Sequence, residues 1–309
     1  MLSAGLVRCD APSSSTAAQV AVEITVNNGV DFTSNGVQFS YVEQTTVGTI
    51  YPASGPVAGG TRIVVHGTHF PQSTDIKCRF SVTPAGSSVP LLTMAAAEWI
   101  QTKAVACVTP TQSSTGLAVV ETSSNGIDFV AGKMAFTYVA NALVLSLHPL
   151  TGGTRGYSAV TIRGTGFVAS DSLRCKFGTT VVPVSTFIND TAIVCMSPAQ
   201  ATGKVLVQVS NNNVDFTTAK VGFTYHAAET VLSFSPKSGP SVGGTTVKLL
   251  GSNFRNATGL SCRFGAAAGA VAKAVFVSSS VLECVSPPKQ PVGSVSLEVS
   301  SNGQDFTAQ

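Results

Sequence analysis

The stretch SSNGIDFVAGKMAFTYVANALVLSLHPLTGG (residues 123–153) contains a pattern that recurs along the chain. Its Asn-Gly-x-Asp-Phe segment occurs four times, with Asn213 in place of glycine in one copy: Asn28–Phe32, Asn125–Phe129, Asn212–Phe216 and Asn302–Phe306. In each of the first three copies, the phenylalanine lies 38 residues before the phenylalanine of a Gly-x-x-Phe segment, and a cysteine follows 8 residues later. So constant a register indicates a repeated structural unit.

The repeat predicts the domain organisation of the chain. We expect the C-terminal part of a truncated domain at residues 1–43, whole domains at 44–140 and 141–227, and a domain without its last strand at 228–309. We call these the N-terminal segment and repeats one, two and three. Because both ends cut through a unit and no secretory signal is visible, we expect a fragment of a longer array.

Strand-like patterns fill each unit. β-Branched runs bounded by glycine, such as 158–163, are followed by segments that alternate with period 2, such as 205–210. The 309 residues include 29 glycines and 15 prolines, and turn signals return every 8 to 12 residues. About seven short strands in roughly 90 residues are typical of an immunoglobulin-like sandwich, so the predicted fold is all-β.

The recurring motifs resemble those of the IPT/TIG domain. They are Pro-x-x-Gly-Pro-x-x-Gly-Gly-Thr (52–61), Gly-x-x-Phe (67–70), Cys-x-Phe-Gly (175–178), Cys-x-x-Pro (107–110) and Asn-Gly-x-Asp-Phe with a later Phe-x-Tyr (136–138). This immunoglobulin-like module is shared by plexins and other surface receptors, and related forms occur in Rel-type transcription factors and starch-acting enzymes. The resemblance covers essentially the whole chain and implies tandem sandwiches in an extended array.

Seven cysteines fall into the repeat register. Six give one pair per repeat, and of the 15 pairings that six cysteines allow, the register selects Cys78–Cys107, Cys175–Cys195 and Cys262–Cys284. Each bridge closes a loop of 20 to 29 residues and contributes roughly 3 kcal/mol. Cys9 aligns with the second cysteine of each pair, so we expect it to be a free thiol. The alternative is a set of buried free thiols in a cytosolic protein.

Two residue groups could suggest metal binding. His66 and His69 occur in repeat one alone, and we interpret them as exposed histidines. The turn aspartates recur in all four copies (Asp31, Asp128, Asp215 and Asp305), but Ca²⁺ prefers 6–8 oxygen ligands and no second acidic residue recurs beside them. We therefore predict turns with positive φ in which the aspartate is a local cap. No metal ion or cofactor is expected.

No catalytic motif recurs, so we predict a non-enzymatic protein. The leading interpretation is a stalk, adhesion or receptor-ectodomain segment, outside the cell or at its surface, that contacts protein partners and flanking IPT/TIG repeats. The sequons at Asn189 and Asn256 predict glycan acceptors. A net charge of +3 argues against a Rel-like DNA-binding surface. An accessory module of a carbohydrate-active enzyme stays open. No apolar run reaches the roughly 20 residues of a membrane span.

Repeat one is longer than the others between its two cysteines. The additional 7 to 9 residues fall roughly within 81–100, which contain Leu91, Leu92, Met94 and Trp99. One interpretation is an ordinary strand with Trp99 in the core. The other is an exposed apolar loop, with these four residues contacting a neighbouring repeat or a partner protein.

Overall fold

The computed structural model describes residues 5–83, 88–218, 220–265, 269–288 and 292–307. Every regular element in these residues is a β-strand, which confirms the all-β prediction. No helix in this part of the chain has the length and apolar character needed to cross a membrane. The chain divides into two compact units: Met1–Ala53, Gly59–Gln112 and Gly116–Thr137 form the first, and Ser54–Ala58, Ser113–Thr115 and Tyr138–Gln309 the second.

The N-terminal segment and repeat one contain ten strands. They are β1 (Ala18–Ala21), β2 (Gln38–Tyr41), β3 (Thr46–Tyr51), β4 (Ser54–Pro56), β5 (Arg62–Thr68), β6 (Lys77–Val82), β7 (Leu91–Gln101), β8 (Ala104–Val108), β9 (Gly116–Ser123) and β10 (Phe129–Val139). β1 pairs with β2, and the order β3-β5-β8-β7-β6-β9-β10 follows in repeat one. β7 takes part in both layers, because its first half pairs with β6 and its second half with β8.

Repeat two is a two-sheet sandwich of nine strands. They are β11 (Leu143–His148), β12 (Thr151–Gly153), β13 (Ala159–Thr165), β14 (Arg174–Phe177), β15 (Thr180–Pro183), β16 (Thr186–Asn189), β17 (Ala192–Met196), β18 (Gly203–Ser210) and β19 (Val221–His226). One sheet has the order β11-β13-β17-β16 and the other β12-β19-β18-β14-β15. The short strand β12 runs parallel to β19, and every other pairing is antiparallel.

In repeat three, six strands form one continuous sheet. Its strands are β20 (Thr230–Ser235), β21 (Thr246–Ser252), β22 (Ser261–Phe264), β23 (Ala270–Ser278), β24 (Val281–Val285) and β25 (Leu297–Ser300), in the order β20-β21-β24-β23-β22-β25. Like β7, β23 pairs with one neighbour along its first half and with another along its second half.

A disulfide crosses the core of each repeat. The bridges are Cys78–Cys107, Cys175–Cys195 and Cys262–Cys284, and all six cysteines are buried. In repeat two the bridge joins β14 in one sheet to β17 in the other, within a core that includes Phe177 and Phe223. These two rings meet edge to face at 5.6 Å. The bridge of repeat two therefore connects its two sheets through a core that contains these aromatic rings.

The Gly-x-x-Phe motif has a packing explanation. A Cβ on Gly164 would lie 1.9 Å from the carbonyl oxygen of Leu143 and 2.6 Å from the ring of Phe167. Gly67 and Gly251 meet the neighbouring strand equally closely. Glycine at this position thus lets two strands approach while the buried phenylalanine covers their ends.

The structure of the segment between the two cysteines of repeat one contradicts the interpretation as a loop. Leu91–Gln101 is a continuous strand, so the exposed loop that we considered is wrong for these residues. β6 has six residues where its counterpart β14 has four, and β7 reaches back to Leu91 to pair with it. The added length therefore extends a β-hairpin. Residues 84–87 of the segment lie outside the described residues.

Candidate functional site

The recurring Asn-Gly-x-Asp-Phe segment forms the same turn in each repeat. In repeat three, the Oδ1 atom of Asn302 accepts hydrogen bonds from the backbone N–H groups of Gln304 (3.0 Å) and Asp305 (2.8 Å). The Asn302 amide nitrogen donates to Asp305 Oδ2 at 2.7 Å. The asparagine therefore caps the turn, whereas we had assigned that role to the aspartate. The aspartate holds the asparagine amide in place.

The backbone of this turn matches the sequence prediction. Gly126 and Gly303 have φ of 75° and 77°, and Asn213, which replaces glycine in repeat two, has φ of 62°. Positive φ is open to glycine and, next best, to asparagine.

The turn asparagine also bonds to the preceding repeat. The amide nitrogen of Asn302 donates its second hydrogen to the carbonyl oxygen of Thr151 in β12, at 2.9 Å. Asp305 takes part as well, because its Oδ2 atom accepts a 2.5 Å hydrogen bond from the hydroxyl of Ser158. Two side chains of repeat three thus contact repeat two. We call this set of contacts the inter-repeat joint.

The same contact occurs one repeat earlier. Asn212 donates to Asp215 Oδ2 and to the carbonyl oxygen of Ser54, each at 2.7 Å. Ser54 belongs to the short segment of β4 that is part of the second compact unit, and it occupies the sequence position of Thr151. A nearby bond joins the backbone N–H of Ala58 to Asn141 Oδ1 at 3.2 Å. The joint is therefore a recurring feature of this chain.

A basic residue fixes the phenylalanine of the turn. The guanidinium of Arg79 lies 4.1 Å from the ring centre of Phe129, and that of Arg263 lies 4.1 Å from the ring centre of Phe306. In repeat two Lys176 takes this place over Phe216 at 4.9 Å. Each basic residue directly follows the first cysteine of its repeat. The cation–π contact thereby connects the turn to the disulfide-bonded strand.

The two arginines are also paired with glutamates. Arg79 Nε donates to Glu121 Oε2 at 2.6 Å, and Arg263 contacts Glu298 on the adjacent strand in the same way. All four side chains are largely shielded from solvent. Neither the cation–π contacts nor these pairs were predicted, although the basic residue after the cysteine recurs in the sequence.

One of the two histidines is paired with a carboxylate. His69 contacts Glu43 at 2.9 Å, and both side chains are more than half exposed. Over the residues that the structure describes, no three His, Cys, Asp or Glu side chains come together as a metal-binding group.

The partner-contact candidates lie in different places. In the pairing of β6 with β7, Leu92 lies opposite Ser81 and Met94 opposite Arg79. The intervening Thr93 lies opposite the buried Phe80. Side chains alternate along a strand, so Leu92 and Met94 point away from the core. Leu91 lies opposite Val82, on the core side, yet is also exposed.

Sequence reasoning missed two further members of this surface. On β9, Val119 pairs with Ser81, and the residues on either side of Val119 are buried. Leu117 and Val119 therefore point to the same outer face as Leu92 and Met94. We call Leu92, Met94, Leu117 and Val119 the outer-face patch; each is between 41% and 59% exposed. Trp99 is not part of it. Its indole N–H donates to the carbonyl oxygen of Phe70 at 3.0 Å, and the side chain is half-buried.

The two sequon asparagines, Asn189 and Asn256, are both exposed. Asn189 Oδ1 accepts bonds from the backbone N–H and the hydroxyl of Thr191. Cys9 is an exposed free cysteine. These positions are compatible with glycan attachment and thiol labelling, and both stay predictions.

The comparisons with known proteins agree with one another. The family model described as IPT/TIG domain matches residues 46–138, 142–225 and 230–309. Plexin-2 of Caenorhabditis briggsae is 25% identical over 207 residues, covering 66% of this chain and 11% of that protein. Plexin-A2 of Homo sapiens is 28% identical over 238 residues, covering 72% and 12%. The chain therefore spans about a tenth of the length of these curated relatives.

One solved structure was also matched. The Plexin A4 full extracellular region superposes with a TM-score of 0.40 at 16% identity, covering 81% of this chain and 21% of that one. Disulfides persist in oxidising surroundings, and the three bridges together with the plexin likeness place the chain outside the cell or at its surface. Since three successive family matches cover most of its length, the chain belongs to the IPT/TIG domain family.

Proposed function

We propose that the chain is a non-catalytic segment of the extracellular region of a plexin-like receptor. In this role the IPT/TIG repeats act as a stiff spacer, and the outer-face patch of repeat one contacts a partner protein. The observation that carries the proposal is the inter-repeat joint, in which Asn302 and Asn212 each bond to a backbone carbonyl of the preceding repeat. A spacer needs such contacts, because short linkers alone leave neighbouring domains free to reorient.

The short connections between repeats support a spacer. Between β19 and β20 only three residues lie outside the strands, and between β10 and β11 there are also three. Neither connection is a glycine- or serine-rich tract of the kind that behaves as a flexible coil. Between repeats two and three, the short connection and the inter-repeat joint restrict the same domain boundary.

The outer-face patch supports a protein partner. Two exposed apolar side chains on β7 and two on β9 lie on one sheet face, on either side of the outward-facing Ser81 and Arg79 of β6. Apolar residues grouped on a surface and bordered by charge are typical of protein–protein contacts. The flanking repeats of a longer chain are further partners in this proposal.

Binding to intact cells tests the patch. We expect the chain fused to an antibody Fc region to bind cells saturably, and to lose binding after proteolytic shaving of the cell surface. The double variant Leu92→Ser/Met94→Ser should bind at least about tenfold more weakly, the loss expected when central apolar contacts are removed. Leu206→Ser, which changes an exposed leucine of repeat two, is the matched control. Binding that survives shaving, or that both variants weaken equally, contradicts the proposal.

A further inference from the structure

One strand pairing of repeat two has no counterpart in the described part of repeat three. In repeat two, residues Gly203–Val207 of β18 pair with the closing strand β19. The corresponding residues of repeat three, 293–296, belong to no strand, and β25 begins only at Leu297. A stretch at the edge of a sheet that lacks its neighbouring strand can pair with a strand from another chain.

A groove of about 520 Å³ lies beside this stretch, and Gly239 and Phe264 are part of its lining. Their counterparts in repeat two, Gly152 and Phe177, both meet the ring of Phe223 in β19. Phe177 and Phe223 meet edge to face at 5.6 Å, and a Cβ on Gly152 would lie 2.7 Å from the Phe223 ring. Gly152 is buried, whereas Gly239 is exposed. The groove therefore has the position and the lining of a site for the first aromatic ring of a closing strand.

The N-terminal segment contains a strand of the required kind. β2 carries Phe39 and Tyr41 at the positions that Phe223 and Tyr225 occupy in β19. In both strands the two rings meet edge to face at 5.0 Å. Phe223 and Tyr225 are buried, whereas Phe39 is 43% exposed. Over the described residues β2 pairs with β1 alone, and an isolated two-stranded hairpin is marginally stable. Transfer of β2 into a groove therefore replaces a weak pairing and buries two aromatic rings.

The residues of the inter-repeat joint favour the same occupant. Ser238 and Thr245 line the groove, at the positions whose carbonyl and hydroxyl groups in repeat two bond to the turn of the following repeat. Repeat one, which follows β2 in the chain, has this turn at Asn125–Phe129. Asn125 and Asp128 are exposed, and within the described residues the Asn125 amide nitrogen donates only to Asp128. A β2 strand in the groove would thus bring a matching turn to Ser238 and Thr245.

We propose that the groove of repeat three binds β2 of a second copy of this chain. β2 adds antiparallel to residues 293–296 and places Phe39 opposite Val295, the register that Phe223 has in repeat two. The turn of repeat one in the second copy then meets the rim of the groove. Because each copy carries both a donor strand and a groove, the contact is head to tail and extends from copy to copy. The proposal does not depend on the spacer role.

Sedimentation velocity of the whole chain over a wide concentration range, with Cys9→Ser to exclude disulfide-linked copies, tests the proposal. We expect species larger than the monomer that increase with concentration. The double variant Phe39→Ser/Tyr41→Ser should self-associate at least about tenfold more weakly, because it removes both rings from the groove. Phe32→Ser, which changes an exposed phenylalanine of the same segment outside β2, is the matched control.

Three results of this experiment would overturn the proposal. They are a monomer at every concentration, equal weakening by the double variant and by Phe32→Ser, or association that only Leu92→Ser/Met94→Ser abolishes. The last result would assign the contact between copies to the outer-face patch instead of the groove.

Cross-linking between copies checks the register independently. Chains with Ser40→Cys are mixed with chains with Ser294→Cys under mild oxidation, each also carrying Cys9→Ser. In the proposed register these two positions lie opposite each other, as the aligned residues do between β18 and β19, so we expect a disulfide-linked heterodimer. Ser280→Cys, exposed between β23 and β24, replaces Ser294→Cys as the control. No cross-link at Ser294→Cys, or an equal yield with the control, would contradict the proposal.

Discussion

The side-chain amide of Asn302 donates to the carbonyl oxygen of Thr151, 2.9 Å away and in the preceding repeat. The same nitrogen donates to Asp305 within its own turn, so both amide hydrogens are used. One residue thereby closes a local turn and connects two domains. Asn212 makes the equivalent pair of bonds, to Asp215 and to the carbonyl oxygen of Ser54, so the same turn makes the same contacts twice in this chain.

Thiol labelling should separate Cys9 from the other six cysteines. Cys9 is exposed and free, whereas the others are buried in three bridges. Iodoacetamide applied to the native chain should modify Cys9 alone, and mass spectrometry should find all seven modified after reduction and unfolding. Non-reducing peptide maps should contain the three linked pairs. Modification of any bridge cysteine in the native chain would contradict this assignment.

Gly164→Ala should strongly destabilise repeat two. The added Cβ would lie 1.9 Å from the Leu143 carbonyl oxygen, so β11 and β13 must move apart. We expect a loss of about 3 kcal/mol or more in the free energy of unfolding, measured by urea denaturation. Gly153→Ala is the control, because nothing lies within 4 Å of its added Cβ, and it should change stability by less than about 0.5 kcal/mol. Equal effects of the two substitutions would refute the packing role of the motif.

Alkaline pH should destabilise repeat two through Tyr225. Burial raises the pKa of Tyr225 to about 12, an effect that the Ser197 hydroxyl partly opposes. The unfolded chain ionises near the ordinary value of about 10. The contribution of the neutral phenol to stability is therefore complete below pH of about 10 and is lost as the pH rises towards 12.

Comparison with Tyr225→Phe isolates this effect. Over the same pH range, unfolding free energies should fall more steeply for the unmodified chain than for the phenylalanine variant, which cannot ionise. Parallel curves would show that Tyr225 titrates normally.

Both sequons should carry glycans when the chain is secreted by eukaryotic cells. Asn189 and Asn256 are exposed, and each lies outside the buried core of its repeat. We expect two glycan masses that disappear after glycosidase treatment, and one after Asn189→Gln. Secreted chain with neither glycan would contradict the expectation that these sites are accessible.

The fold could be predicted from sequence because its determinants are local and repeated. Cysteine spacing, β-branched runs and turn residues recur at fixed distances, so each copy supports the interpretation of the others. The inter-repeat joint could not be predicted from the sequence, because Asn302 and Thr151 are 151 residues apart and their hydrogen bond depends on how two domains meet. Strand β7 was ambiguous because its Ala-rich sequence, LLTMAAAEWIQ, hides the alternation that marks a half-buried strand.

A distance measurement across the boundary between repeats two and three tests the joint most directly. Spin labels at the exposed Lys204 and Lys273, with Cys9→Ser, report this distance by pulsed electron paramagnetic resonance. Asn302→Asp removes both amide donors and places a carboxylate against Asp305; Asn125→Asp makes the same change in repeat one and is the control. We predict a narrow distance distribution for the unmodified chain and for Asn125→Asp, and a clearly broader one for Asn302→Asp. An equally narrow distribution in Asn302→Asp, or a broad one in the unmodified chain, would contradict the account.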